Sequence, residues 1–199
     1  MSLIFNEKIM FLSQLLRYES LIVLCAGLIV GSFLNVCIYR IPLGLFWQSH
    51  RSFCPYCQKS IPFYYNLPLI SFLLLRGKSA CCQQKISWQY PIVELLTGLL
   101  WLSCFVKYPC FQLLPEFRYY PLEIFRFFYT VVFFSALIVC SFIDLKLFII
   151  PDVISLPMAA IAPLLAFFHP ELTFLSSIFG VFLGAFIIYS IAWIYYLLR

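Results

Sequence analysis

The chain has 199 residues, of which 64% are hydrophobic and 11% charged, with a formal net charge of +5 and a mean hydropathy of +0.99. Apolar residues at that density, gathered in long runs rather than helical stripes, exclude a soluble globular domain and predict an all-α polytopic membrane protein. Its cations are spread thinly beside those runs, where anionic lipid headgroups are the nearer partners, and this excludes nucleic acid as the ligand.

Residues 1–19 mix both charge signs and lack the short apolar stretch and small-residue cleavage site of a signal peptide, so they read as a retained segment. Phe5, Ile9, Leu12, Leu15 and Leu16 recur at helical spacing, which fits a helix lying flat at the interface. Residues 20–199 form one membrane domain, since no repeat, glycine-rich linker or low-complexity segment divides them. Its first span is residues 20–39, as long as the roughly 20 apolar residues that a bilayer requires. Near its end Gly31 and Ser32 are small enough to let helices approach closely, and Asn35 can bond across to a neighbour.

Residues 40–90 carry six cations, Arg40, Arg51, Lys59, Arg76, Lys78 and Lys85, and no acid, so the positive-inside rule places this loop insertion in the cytoplasm. Within it, residues 61–75 are apolar but broken by Pro62 and Pro68, which predicts an interfacial or packed segment rather than a crossing. A second span is expected over 92–106, with Glu94 at its cytoplasmic end. Residues 107–126, mixed in charge and holding Pro109, Pro115 and Pro121, form a periplasmic connection without a continuous helix. A third span covers 127–143 and returns to the cytoplasm at Asp144. A fourth over 153–168 is interrupted by Pro157 and Pro163, a tight turn covers 169–173, and a fifth covers 172–198.

Eight of the nine cysteines divide by setting. Cys25, Cys37, Cys104 and Cys140 lie in or beside apolar runs and act as small hydrophobes, whereas Cys54, Cys57, Cys81 and Cys82 lie in the basic loop. CPYC at 54–57 is half a zinc site, because two thiolates two residues apart form a knuckle onto one tetrahedral ion. The second half, Cys81 and Cys82, is irregular, since adjacent cysteines ligate one ion only with backbone distortion. The predicted ligand set is Cys54, Cys57 and Cys82 with Cys81 or water as the fourth; reduced free thiols are the alternative, and a cytoplasmic loop disfavours disulfides.

The chain's two aspartates, Asp144 and Asp152, lie in SFIDLKLFIIPD at 141–152. An ionisable residue at the edge of a membrane span is costly and marks a functional site, so Asp144 is the first candidate for chemistry. Against this stands an ordinary interfacial role for Asp144, Lys146 and Asp152. Aspartic proteolysis needs two carboxylates sharing one proton about 3 Å apart. Pro151 interrupts the helix between Asp144 and Asp152, and a spacing of eight does not bring two side chains onto one helical face.

This stretch, with GSFLNVCIYRIP at 31–42, CPYC at 54–57, YNLPLISFLLLRGK at 65–78 and ISWQYPIVELLTG at 86–98, resembles the type IV prepilin leader peptidase/N-methyltransferase family. The resemblance implies a multi-pass aspartic peptidase of the bacterial cytoplasmic membrane. Such an enzyme cuts leader peptides from precursors of type IV pilins and type II secretion pseudopilins at the cytoplasmic face, and many members also methylate the new amino terminus. It implies a catalytic role for Asp144, with Ile150, Pro151 and Asp152 as the rest of the motif. The family's second catalytic aspartate belongs to a G-x-G-D motif that this sequence does not contain. The chain is therefore expected to be truncated, or completed by a second polypeptide, and a non-catalytic remnant or partner subunit is the rival reading. The family's second C-x-x-C is here GKSACCQQKIS, which puts Ser79 in the third ligand slot and Cys82 in the fourth. Methyl transfer would need S-adenosylmethionine, for which no glycine-rich loop follows a strand. It rests on the resemblance alone, with Glu94, Arg76 and Lys78 at matching positions and Tyr65 where members often carry an acid.

Overall fold

The computed structural model describes residues 18–45, 54, 56–57, 59–62, 65, 67–108, 111–112, 118–119, 121–165 and 173–198. Its helices are α1 (Tyr18–Arg40), α2 (Ile70–Leu74), α3 (Gln89–Lys107), α4 (Pro121–Leu147), α5 (Asp152–Leu165) and α6 (Phe174–Leu198). Two-residue strands β1 (Phe111–Gln112) and β2 (Arg118–Tyr119) pair antiparallel between α3 and α4, in the connection whose prolines preclude a helix. Four helices, α1, α3, α4 and α6, are long and apolar enough to cross a membrane. At 1.5 Å per residue the shortest of them, the 19-residue α3, runs about 28 Å, close to the thickness of the hydrocarbon core.

The expected fourth span differs. Helix α5 has 14 residues, about 21 Å, and keeps Pro157 and Pro163 inside it rather than breaking at them. It is therefore a short apolar helix, and 166–168, the end of the expected span, lie outside the described residues. So do residues 1–17 of the expected interfacial segment and most of the turn expected at 169–173. Thr173 caps α6 reciprocally with Ser176: each backbone N–H donates to the other's hydroxyl, at 3.1 and 3.2 Å.

The chain divides into two units, Met1–Pro151 and Asp152–Arg199. In the second, α5 packs with α6. In the first, α1, α3 and α4 pack on one another. Helices α1 and α3 run antiparallel, because Asn35 Nδ2, near the end of α1, donates to the Tyr90 carbonyl at the start of α3, 3.2 Å away. Lower in the bundle Val23 shares a buried cluster with Cys104, Phe105, Phe127 and Val131. Small residues set the separation: a Cβ on Gly31 would lie 2.7 Å from the Glu94 Cα, and one on Gly27 2.9 Å from the Gly98 Cα. Gly31→Leu is therefore expected to cost about 1–3 kcal/mol by forcing α1 from α3, read as a lower melting temperature in detergent. Gly184→Ala in α6, which meets no described atom within 4 Å, should leave it unchanged.

Helix α4 packs across α1 and α3 through Phe127, whose ring meets those of Trp101 and Phe105 edge-on at 6.0 and 6.3 Å. It is longer than the expected third span at both ends. Pro121 suits a first helical turn, where its missing N–H costs nothing. At the other end Phe148 N–H bonds the Asp144 carbonyl at 2.8 Å, with Phe148 in the left-handed region at φ 55°.

Candidate functional site

The end of the three-helix unit that holds Asn35, Tyr90 and Lys146 also carries the described residues between α1 and α3. Helix α2 is only five residues long and cannot cross a bilayer, as Pro62 and Pro68 led one to expect. Its entry is strained, with Leu69 at φ 56°, and Glu94 answers that strain: its buried Oε2 accepts the Leu69 N–H at 2.8 Å. Glu94 thus holds the loop against α3.

Between α1, α2 and the start of α3 lies a cavity of about 710 Å³. Its polar wall includes Ser32, Asn35, Tyr90, Glu94 and Lys146, and Phe33, Phe72 and Leu75 are among its apolar lining. Asn35 is fixed from three sides, donating to the Gly31 and Tyr90 carbonyls and accepting from Gln89 Nε2 at 3.4 Å. Lys146 puts the last turn of α4 on the rim, and Asp144, two residues earlier, is exposed on that turn. The basic loop and Asp144 therefore share one end of the bundle. Pro151 closes the first unit, and Asp152 opens α5 in the second, at the helix terminus that favours an acid.

Cys54, Cys57, Cys81 and Cys82 converge, with their sulfurs all within 4.8 Å of one another, a group that could hold a metal ion. The first pair is bent together by a turn in which Cys54 N–H bonds the Lys59 carbonyl at 2.9 Å. The second sits at the tip of a hairpin, where Lys78 bridges Lys85, Ser79 N–H bonds the Gln84 carbonyl and Gln83 N–H returns to Ser79. Gln83 adopts φ 60°, a left-handed residue that closes the hairpin just after the two adjacent cysteines. Ser79 is not excluded from the cluster. Its hydroxyl lies 3.0 Å from Cys81 Sγ and 3.6 Å from Cys54 Sγ.

The sulfurs differ in proton affinity. Burial works to raise the Cys54 thiol, but hydrogen bonds from the Cys57 backbone and the Ser79 hydroxyl outweigh it and hold the thiol down at about 6. The 3.0 Å contact with Cys81 pushes Cys57 up to about 12. Without a cation Cys54 is thus the readier thiolate, and a metal must displace the proton that Cys57 holds.

Sequence reasoning singled out Asp144 and the four cysteines that the structure brings together. It missed the convergence of Asn35, Tyr90, Glu94 and Lys146 on one cavity, whose only forewarning was the polar Asn35 inside an apolar run.

Comparison with known proteins agrees with these motifs. Residues 25–108 match the family model described as the bacterial peptidase A24 N-terminal domain. A prepilin leader peptidase/N-methyltransferase of Klebsiella pneumoniae is 32% identical over 180 residues, covering 87% of this chain and 73% of that protein. One of Pectobacterium carotovorum is 35% identical over 155 residues, 66% of this chain and 50% of the relative. A type 4 prepilin-like proteins leader peptide-processing enzyme of Escherichia coli is 34% identical over 187 residues, 84% of this chain and 65% of the relative. No solved structure matches the chain.

Proposed function

The chain belongs to the prepilin leader peptidase/N-methyltransferase family, and we propose that Asp144 serves on this scaffold as one of the two carboxylates that cleave the leader peptide of type IV prepilins or pseudopilins. The supporting observation is its placement: one of two aspartates in the sequence, exposed on the last turn of a membrane-spanning helix, the turn whose Lys146 lines a cavity of about 710 Å³. In such a reaction one carboxylate takes a proton from water while the other gives one to the scissile carbonyl, the two sharing a proton in between. Asp144 fills one of these roles. The other falls to an aspartate in a G-x-G-D motif, which these 199 residues lack and another polypeptide segment would supply. Asp152, first residue of α5, positions the helix start.

The four cysteines hold one zinc ion, supported by the convergence of their sulfurs within 4.8 Å. Bound there, zinc supplies structure rather than chemistry, tying the 54–57 turn to the 78–85 hairpin. Ser79 orients Cys54 and Cys81 by hydrogen bonding. We assign S-adenosylmethionine no site, and the proposal extends to the peptidase alone.

The basic loop faces the cytoplasm of the bacterial inner membrane, which places Asp144 on the same side. An impermeant thiol reagent applied to intact cells should modify a cysteine introduced at Pro115 and spare one introduced at Ser60, each judged against the unsubstituted chain. Modification at 60 and not at 115 would reverse the orientation. Cleavage of a prepilin by the complete catalytic pair, lost on Asp144→Asn, tests the function itself.

A further inference from the structure

Helix α2 leaves its hydrophobic side chains uncovered. Ile70, Leu73 and Leu74 are 53%, 73% and 78% exposed, and Trp88, whose ring lies 5.0 Å from that of Phe72 in α2, is 70% exposed. Trp88 immediately precedes α3, a membrane-spanning helix, so it sits at the depth where indole rings favour the bilayer interface. The Phe72–Trp88 contact ties α2 to that same depth. The chain then turns out of α2 through Arg76 and Gly77, both in the left-handed region, with Gly77 N–H bonded to the Phe72 carbonyl at 2.9 Å.

That turn leads into a hairpin on which Lys78 and Lys85 stand opposite each other. Like charges directly opposed across an antiparallel pair repel. With exposed Arg76 they make a cationic rim beside the apolar side chains, in a stretch, 41–90, that contains no acid. An apolar face bordered by cations and anchored at the mouth of a membrane span is complementary to an anionic leaflet: acyl chains take the leucines and the indole, headgroup phosphates take the cations.

We propose that α2 and the 76–88 hairpin form a second membrane contact, separate from the spans, docking on the surface of the leaflet at which α3 begins and selective for anionic phospholipid. The contact does not depend on the peptidase reading. It does fix a wall of the cavity, since Leu69, Phe72 and Leu75 line it.

The full chain, labelled with fluorotryptophan and placed in lipid nanodiscs of phosphatidylcholine with or without phosphatidylglycerol, tests this by fluorine NMR. The Trp88 resonance is assigned by its loss in Trp88→Phe, Trp101, half-buried against the Val23–Phe127 cluster, serves as the packed reference, and Trp193 in α6 as the exposed one. With phosphatidylglycerol present, lipid carrying a spin label near the headgroup should broaden Trp88, and a water-soluble gadolinium chelate should broaden it several-fold less than in phosphatidylcholine alone. Arg76→Gln with Lys78→Gln and Lys85→Gln should restore access to the chelate while the Trp101 resonance stays unchanged, reporting an intact fold. Each cation near a charged surface favours docking by roughly fivefold, so removing three should weaken it by about a hundredfold. Equal chelate access in both lipids, unaffected by the triple substitution, would overturn the proposal. So would access that disappears only when a prepilin peptide is added, which would assign the patch to a protein partner.

Discussion

Substituting Cys54→Ser together with Cys57→Ser is expected to abolish zinc binding and unfold the 54–88 region, α2 included, while leaving α1, α3 and α4 in place. Among the described residues of that region only Cys54 and Ser71 are buried, so it has almost no core of its own. A structural zinc contributes about 10–16 kcal/mol of apparent binding energy near neutral pH, far more than so little buried surface can. Metal analysis of the purified protein should give about one zinc per chain before substitution and none after. Because Cys57, held up at about 12, must lose its proton to bind, zinc affinity should fall as the pH is lowered, with protons and metal competing for the same sulfurs. Ser79→Ala keeps all four sulfurs and removes only a hydrogen bond to them, so it should weaken metal binding by roughly 10- to 100-fold rather than eliminate it. Zinc unchanged in the double serine variant would remove the site from the account.

Cleavage should depend on Asp144 far more steeply than on Asp152. A carboxylate that exchanges a proton with the reacting groups contributes about 10²- to 10⁴-fold in rate, and Asp144→Asn removes that capacity while keeping shape and hydrogen bonding. Asparagine at 152 removes only the favourable placement of a negative charge in the first turn of α5, an effect on the order of 1 kcal/mol or less, so the rate loss should stay within about tenfold. Prepilin processing followed over a time course, with the complete catalytic pair present, separates the two.

How far the sequence foretold the structure depended on whether the deciding interaction was local. Apolar runs of span length located α1, α3 and α4, and Gly31 with Asn35 foretold the close approach of α1 to α3. Helix ends were less legible: α4 gains its first turns because Pro121 is accommodated at a helix start, and its last because Phe148 accepts a left-handed backbone. The span expected over 153–168 was drawn from apolar length, whereas α5 ends at Leu165 with two prolines inside it. The irregular second half of the cysteine site became intelligible only with all four sulfurs within 4.8 Å of one another, since adjacency alone argues against Cys81 and Cys82 acting together. The cavity was not legible at all. Its wall joins Asn35 to Tyr90, 55 residues apart, and both to Lys146 on another helix, and no periodicity records such a meeting.

The proposed pairing of Asp144 with a carboxylate from outside these 199 residues is tested by prepilin cleavage with a purified polypeptide limited to them, with and without a segment carrying G-x-G-D. Little or no cleavage is expected from the 199 residues alone, cleavage when the segment is supplied, and its loss again with Asp144→Asn but not with Asp152→Asn. Robust cleavage by the 199 residues alone, abolished equally by either substitution, would contradict it and make Asp144 and Asp152 the catalytic pair.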